Sequence, residues 1–285
     1  MSHPDSPDSP APGTLPPDTV ALLGVPFDAN SSFLAGPALA PDRIREALHS
    51  PSSNLCNENG RDLGQESRLR DVGDVALGED PFQDIRDTVG GWLDAGARLL
   101  CLGGDHSVAF PILEAYGARR SGLTVLQLDA HPDLYDELDG HRYSHACPFA
   151  RVMESGIVDR LVQVGIRTMN PHQRSQAERF GVEVVEMRQW RSDLDPVKDL
   201  GLTTPLYLSL DLDVLDPAFA PGVSHFEPGG LSTREVIDFL ARLPRPLVGA
   251  DLVELNPLRD PSGVTAMVAA KLLKEMVELL LPEDG

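Results

Sequence analysis

Short apolar runs recur along most of the chain, and helix-like stretches separate them. Each run is rich in Val and Leu, and most are continuous rather than alternating, which is typical of strands covered on both faces. The seven runs are residues 19–25, 98–104, 123–130, 161–167, 182–187, 206–213 and 247–255. The helix-like stretches include residues 81–97, 109–119, 147–155, 171–180, 232–243 and 264–281. This alternation predicts an α/β fold with a central parallel sheet.

The first eighteen residues differ in composition from the rest of the chain. They contain six prolines among Ser, Asp and Ala, a mixture that is typical of disordered segments. No internal repeat and no second linker follows. We therefore expect a disordered Pro-rich tail at residues 1–18 and a single domain at residues 19–285.

Charge and cysteine content exclude several classes of protein. With 44 acidic and 24 basic residues the formal net charge is −20, which argues against nucleic-acid binding. No apolar run approaches the roughly 20 residues of a membrane span, so no membrane partner is expected. The three cysteines are scattered without a CxxC motif, and the N-terminus has no signal-peptide pattern. These features predict a cytoplasmic protein.

Carboxylates and imidazoles follow four of the predicted strands. His106 comes just after the second run. Asp129 stands at the end of the third run, and His131 and Asp133 follow it. Asp211 and Asp213 end the sixth run, and Glu254 is near the end of the seventh. The carboxyl ends of parallel strands share one edge of a sheet, and alternate residues of an extended chain point to the same side. The spacings D-x-H-x-D and D-x-D therefore predict one cluster.

Such a cluster requires positive charge. Two imidazoles and four carboxylates would repel one another outside water, whereas two divalent ions would balance the four negative charges. Oxygen ligands with a few imidazoles favour six-coordinate Mn²⁺ over tetrahedral Zn²⁺, and Ca²⁺ prefers oxygen ligands alone. Asp136, Asp139 and Asp216 are interpreted as loop charges or turn caps.

Three motifs resemble those of a known family. GGDHS (103–107), DAHPD (129–133) and SLDLDVLDPAFAPG (209–222) resemble the motif blocks of the ureohydrolases, the arginase/agmatinase family. YSHACPFARVME (143–154) is most similar to the plant-type arginases and their bacterial relatives. The resemblance implies a three-layer α/β/α sandwich and assembly as a homotrimer or homohexamer.

The resemblance also implies two Mn²⁺ ions per subunit and a role for each site residue. Asp129 and Asp211 would bridge the ions, His106 and Asp133 would complete one ion, and His131 and Asp213 the other. A water activated by the ions would attack a small cationic guanidino substrate and release urea and an amine. Glu254 would bind the guanidinium, while Asp133 and His145 would carry protons. His141, His172 and His225 are interpreted as surface or loop residues.

The substrate is predicted to be agmatine, giving putrescine, because the loop at 134–144 carries Asp136, Glu137 and Asp139 and would favour an amine tail. An arginase remains an alternative, since Arg142 or Ser144 could bind a carboxylate. A guanidino-acid hydrolase is a further alternative. A zinc-dependent deacetylase or amidohydrolase of the same fold would need only one metal, and a non-catalytic binding protein would not need the complete set.

Overall fold

The computed structural model describes residues 15–16 and 18–282. Most of the predicted tail, residues 1–14 and 17, lies outside the described residues, as do residues 283–285. Within the described part, no helix combines the length and apolar character needed to cross a bilayer.

Eight strands form one sheet in which every neighbouring pair is parallel. The strands are β1 (Val20–Gly24), β2 (Leu69–Asp74), β3 (Arg98–Leu102), β4 (Thr124–Leu128), β5 (Arg160–Ile166), β6 (Glu183–Glu186), β7 (Leu206–Asp211) and β8 (Gly249–Val253). Their order across the sheet is β2-β1-β3-β8-β7-β4-β5-β6. All seven predicted strands are present, and the predicted parallel α/β fold is confirmed.

Helices cover both faces of the sheet and give the expected three layers. They are α1 (Ala40–Leu48), α2 (Pro81–Asp94), α3 (Ala109–Gly117), α4 (Pro148–Ser155), α5 (Pro171–Phe180), α6 (Thr233–Leu240) and α7 (Val264–Leu280). Buried residues of α1, α6 and α7 share one apolar cluster, and those of α2, α3, α4 and α5 share another. Successive residues of a strand alternate between the two clusters, as Val125 and Leu126 of β4 do.

The sequence patterns did not separate β2 from the surrounding loops. This strand lies at an edge of the sheet, and only Val72 of its six residues is buried. Its segment LRDVGD therefore lacks the continuous apolar run that marks the central strands.

The strand order determines where the functional residues meet. Strands β3, β8, β7 and β4 are consecutive neighbours in the sheet, and all four run in the same direction. Their carboxyl ends therefore lie side by side, which is where sites form in open α/β sheets. These are the four strands that the carboxylates and imidazoles follow.

Candidate metal centre and guanidinium pocket

Three carboxylates surround one nitrogen of His106. Its Nδ1 lies 3.0 Å from Asp129 Oδ2, 3.1 Å from Asp133 Oδ2 and 3.2 Å from Asp211 Oδ2. All four side chains are buried. Residues that follow β3, β4 and β7 thus meet at one point.

A second group forms around His131 and shares Asp129 with the first. His131 Nδ1 lies 2.8 Å from Asp213 Oδ2 and 3.6 Å from Asp129 Oδ1. The two oxygens of Asp129 therefore face different imidazoles. His106, Asp129 and Asp133 form one set able to hold a metal ion, and Asp129, His131 and Asp213 form the other.

The charges of these groups are strongly coupled. Burial, together with Asp213 and Asp129, raises the pKa of Asp211 well above its ordinary value, and burial and Asp129 raise that of Asp133 to about 6. Burial disfavours a charged His106, yet its carboxylate neighbours raise its pKa well above the usual range. The four carboxylates thus outnumber the two imidazoles that could offset their charge, and divalent cations would supply the missing positive charge.

His106 Nδ1 itself indicates a metal ligand. It is completely buried and has no hydrogen-bond partner of acceptable geometry, although three carboxylate oxygens surround it. Its other nitrogen, Nε2, lies 2.9 Å from Ser209 Oγ, and Ser209 Oγ donates to Asp251 Oδ1 at 2.7 Å. Since the Ser209 proton is used, Nε2 donates and Nδ1 is the nitrogen that faces the carboxylates, where a cation that displaces its proton would find the lone pair. The site therefore fits a divalent cation.

The chain from His106 into the core was not identified from the sequence. Asp251 is fully buried in β8 and also accepts a hydrogen bond of 2.7 Å from Tyr207 Oη. Ser209 and Asp251 are paired neighbours of β7 and β8. A buried charge in the middle of an apolar strand was the signal that could have identified Asp251.

A pair of buried glutamines supports Asp129 in a similar way. Gln127 Nε2 donates to Asp129 Oδ2 at 2.7 Å, and Gln163 Nε2 donates to Gln127 Oε1 at 2.6 Å. The two glutamines are paired residues of β4 and β5. This contact fixes the carboxylate that both metal-ligand sets share.

Glu254 and His145 form an ion pair beside the carboxylate cluster. His145 Nδ1 lies 3.1 Å from Glu254 Oε1, and the backbone N–H of His106 donates to the same oxygen at 2.9 Å. Burial disfavours a charged His145, but Glu254 raises its pKa to about 9. Conversely, burial opposes the charge of Glu254, while the contact with His145 lowers its pKa. Ser32 Oγ lies 2.8 Å from His145 Nε2 and holds the outer edge of the ring.

Two of these residues have an unusual backbone conformation. Asp133 has φ of 52° and Glu254 has φ of 65°, in the left-handed region that L-residues with a Cβ rarely adopt. Each costs roughly 1–2 kcal/mol relative to a relaxed backbone. Asp18 and Asp139 also have positive φ, so two of the four described non-glycine residues with this conformation belong to the candidate site.

A cavity of about 190 Å³ opens onto this cluster. Its inner end contains Glu254, His145 and the carboxylates of Asp133, Asp211 and Asp213. The other lining residues, called the outer wall, have no charged side chain apart from histidine and are Ser32, His131, Tyr135, Leu138, Ala146, Thr168, Gln173 and His225. The cavity therefore suits a small molecule with a cationic end that enters first.

His225 is a loop residue, as the sequence suggested, but it also lines the cavity. It is half-buried in the cavity wall, and its ring centroid lies 4.9 Å from that of His145 and 5.9 Å from that of His131. Burial and the neighbouring His145 lower its pKa below the ordinary value, which favours the neutral ring. It lies in the long loop between β7 and α6, away from the strand ends from which the cluster was predicted.

The remaining loop residues lie outside the cluster. His172 stacks on Tyr135 with centroids 5.7 Å apart, and His141 is exposed. Asp136 forms ion pairs with Arg142 and Arg151, and Asp139 is exposed. Asp216 accepts hydrogen bonds from the backbone N–H groups of residues 218, 229 and 230, as a turn cap does.

Comparison with curated proteins shows close relatives among plant arginases. Arginase 1, mitochondrial, of Arabidopsis thaliana is 48% identical over 278 residues, which cover 90% of this chain and 80% of that protein. The human guanidino acid hydrolase, mitochondrial, is 34% identical over 274 residues, which cover 90% of this chain and 77% of that protein.

These names also correct the prediction of a cytoplasmic location. The similar arginases of Arabidopsis thaliana and Oryza sativa are named as mitochondrial, and one as chloroplastic or mitochondrial. Sparse cysteines and the lack of a signal-peptide pattern fit any reducing compartment, so they could not distinguish the cytoplasm from an organelle.

The fold has solved counterparts. The arginase from Medicago truncatula superposes with a TM-score of 0.84 at 42% identity, covering 92% of this chain and 87% of that one. The model of the "Arginase family" matches residues 18–278, nearly the whole described chain. With the clustered motif residues, these matches show that the chain belongs to the arginase family of ureohydrolases, hydrolases that act on guanidino C–N bonds and typically depend on manganese.

Proposed function

We propose that the protein is a binuclear manganese arginase that hydrolyses L-arginine to ornithine and urea. The similarity to plant arginases carries the choice of substrate, since their 48% identity exceeds the 34% identity with the guanidino acid hydrolase. This proposal replaces the agmatine prediction with the alternative that the sequence had left open.

The structure explains why the argument for agmatine was weak. Agmatine would be favoured only if the acidic residues of the loop at 134–144 faced the amine tail of the substrate. Asp136 is instead neutralised by Arg142 and Arg151, and from this loop Tyr135 and Leu138 line the cavity. An amine tail would therefore gain little from these acids.

Six residues would hold the two metal ions. They are His106, Asp129, His131, Asp133, Asp211 and Asp213; Asp129 belongs to both ligand sets, and Asp211 Oδ2 lies 3.2 Å from His106 Nδ1. When bound, the ions would supply the Lewis acidity that makes water nucleophilic near neutral pH. The hydrogen bonds of Ser209 and Gln127 to His106 and Asp129 orient the ligands before any cation arrives.

Glu254 would hold the substrate, because its carboxylate lies at the inner end of the cavity beside the metal ligands. A guanidinium is planar and can donate two parallel hydrogen bonds to one carboxylate. This pairing would bring a cation close to a cationic centre, which would otherwise repel it. The fixed position of Glu254 Oε1, which accepts from the His106 N–H, would orient the guanidinium carbon.

Asp133 and His145 would move the protons. Asp133 is buried among the ligands, where it could pass a proton to the departing amine. His145 lies at the border between the cluster and the cavity, so it could exchange a proton with solvent.

Steady-state kinetics on the manganese-loaded protein tests the substrate. Urea release is measured with L-arginine, agmatine and 4-guanidinobutyrate, and Asp129→Ala protein serves as the blank. We expect kcat/KM for L-arginine to exceed that for the other two by at least about tenfold, since buried polar groups discriminate by such factors. A higher kcat/KM for agmatine would overturn the proposed substrate and leave the family assignment intact.

The homotrimer or homohexamer remains a prediction from the resemblance. Light scattering coupled to gel filtration would measure the mass, and a monomer at micromolar concentration would contradict it.

A further inference from the structure

The donors of a guanidinium raise a question that Glu254 alone does not answer. An alkylguanidinium carries five N–H donors and no acceptor. One carboxylate accepts two of them in a bidentate pair. The metal-ligand carboxylates are committed to cations, so the remaining donors need acceptors from another part of the cavity wall.

Most polar groups of the outer wall already have hydrogen bonds. Ser32 Oγ contacts His145 Nε2, Thr168 Oγ1 donates to the carbonyl of Ala130, and Tyr135 Oη accepts from Asn170 Nδ2. Within the part of the chain that the structure describes, the ring nitrogens of His225 and the side-chain amide of Gln173 form no hydrogen bond, and of the two it is His225 that packs against His145. A neutral imidazole offers one acceptor nitrogen and one donor.

His225 also lies at the correct depth. Its ring centroid is 4.9 Å from that of His145, which itself contacts Glu254, and 5.9 Å from that of His131. Within the outer wall it is therefore a residue that lies beside His145 and His131. On its outer side the exposed ring of Phe33 packs against it with centroids 5.8 Å apart.

The loop that carries His225 is held on both sides. Asn256 Nδ2 donates to Ser224 Oγ at 2.9 Å, and Arg167 Nε donates to the carbonyl of Glu227 at 2.9 Å. Asp216 Oδ2 accepts from the N–H of Gly229 at 2.7 Å. These contacts fix the ring position without using its nitrogens, as a preorganised binding residue requires.

We propose that His225 is a substrate-binding residue that accepts a hydrogen bond from the guanidinium held by Glu254. The inference rests on the proposed ureohydrolase function and deepens it. It adds a neutral acceptor opposite the carboxylate, so the substrate cation is held between an anion and a lone pair. Arginine and agmatine share this end of the molecule, so His225 binds both equally.

Three substitutions separate hydrogen bonding from ring packing. His225→Phe keeps a ring against His145 and Phe33 but has no acceptor, His225→Ala removes both, and His225→Gln keeps an acceptor oxygen. His141→Phe is the matched control, because His141 is an exposed histidine outside the cavity.

We expect His225→Phe and His225→Ala to lose roughly 10- to 150-fold in kcat/KM, mainly through KM, as for a lost hydrogen bond to a charged donor. His225→Gln should stay within about fivefold of wild type by the same reasoning. Manganese content should remain unchanged in all variants. Near-wild-type KM for His225→Phe, or a loss confined to arginine, would overturn the inference.

Calorimetric binding of guanidinium chloride to the manganese-loaded protein provides a test that does not depend on turnover. We expect wild-type and His141→Phe protein to bind guanidinium and His225→Phe to bind it at least about tenfold more weakly. Equal binding by His225→Phe would refute the role of His225 even if the wild type hydrolysed none of the substrates. Absence of turnover by the wild type would, separately, refute the proposed function.

Discussion

Glu254→Gln tests the electrostatic basis of substrate binding. The substitution keeps the shape of the side chain and an oxygen that can accept a hydrogen bond from the backbone N–H of His106. In the wild-type chain that N–H donates to Glu254 Oε1 at 2.9 Å. It removes the negative charge from a position only 4% exposed, beside a histidine whose pKa it holds at about 9. The folded scaffold is therefore largely retained while the cation loses its anionic partner.

The expected loss follows from the burial of this charge. Removing one partner of a buried hydrogen-bonded charge pair costs about 2–5 kcal/mol. Each 1.36 kcal/mol corresponds to tenfold, so kcat/KM should fall by roughly 30-fold to a few thousandfold. Manganese content should not change, because Glu254 contacts His145 and the backbone N–H of His106 rather than the carboxylates of the cluster.

Urea release gives kcat/KM, elemental analysis gives metal content and thermal melting reports folding. Glu137→Gln is a suitable control, since Glu137 is an exposed glutamate of the loop beside the cavity. If Glu254→Gln protein kept kcat/KM within about threefold of wild type, the guanidinium would have another anchor. Loss of manganese would instead identify Glu254 as a support of the metal site.

Three further perturbations address the metal centre and the proton path. Ser209→Ala breaks the hydrogen bond that orients His106, so Mn²⁺ affinity measured by chelator competition should fall about 10- to 100-fold. Unchanged affinity would show that His106 does not need this hydrogen bond to bind the metal. Asp129→Ala should abolish both metal retention and urea release. Asp136→Ala should keep full metal content, because Asp136 contacts Arg142 and Arg151. Equal metal loss in the two variants would contradict the ligand set. His145→Asn should slow turnover by about 10²- to 10⁴-fold with partial recovery in added imidazole, and a wild-type rate would exclude His145 from proton transfer.

The sequence predicted the parts of the molecule that depend on local pattern. The strand ends of β3, β4, β7 and β8 carry His106, Asp129, Asp211 and Glu254, and parallel strands necessarily present such residues at one edge. That these residues touch, rather than only share an edge, depends on the strand order, which places β3, β8, β7 and β4 side by side.

The residues that escaped prediction depend on strand pairing and loop path. Ser209 reaches Asp251 only because β7 and β8 pair in a register that aligns them, and Gln127 reaches Gln163 in the same way. His225 lies on a loop whose course is fixed by contacts from Asn256, more than thirty residues away. A single sequence contains no periodicity from which such pairings can be inferred.

The left-handed backbone at Asp133 and Glu254 has a consequence for protein engineering. Glycine adopts this conformation without side-chain strain, so replacing either residue with glycine should recover up to roughly 1–2 kcal/mol of folding stability, and asparagine should act in the same direction at Glu254. A library screened only for heat resistance would therefore enrich such replacements at the two positions where they destroy function. Stabilised variants of this chain should be selected under simultaneous pressure for turnover, since thermal selection alone leads away from the enzyme.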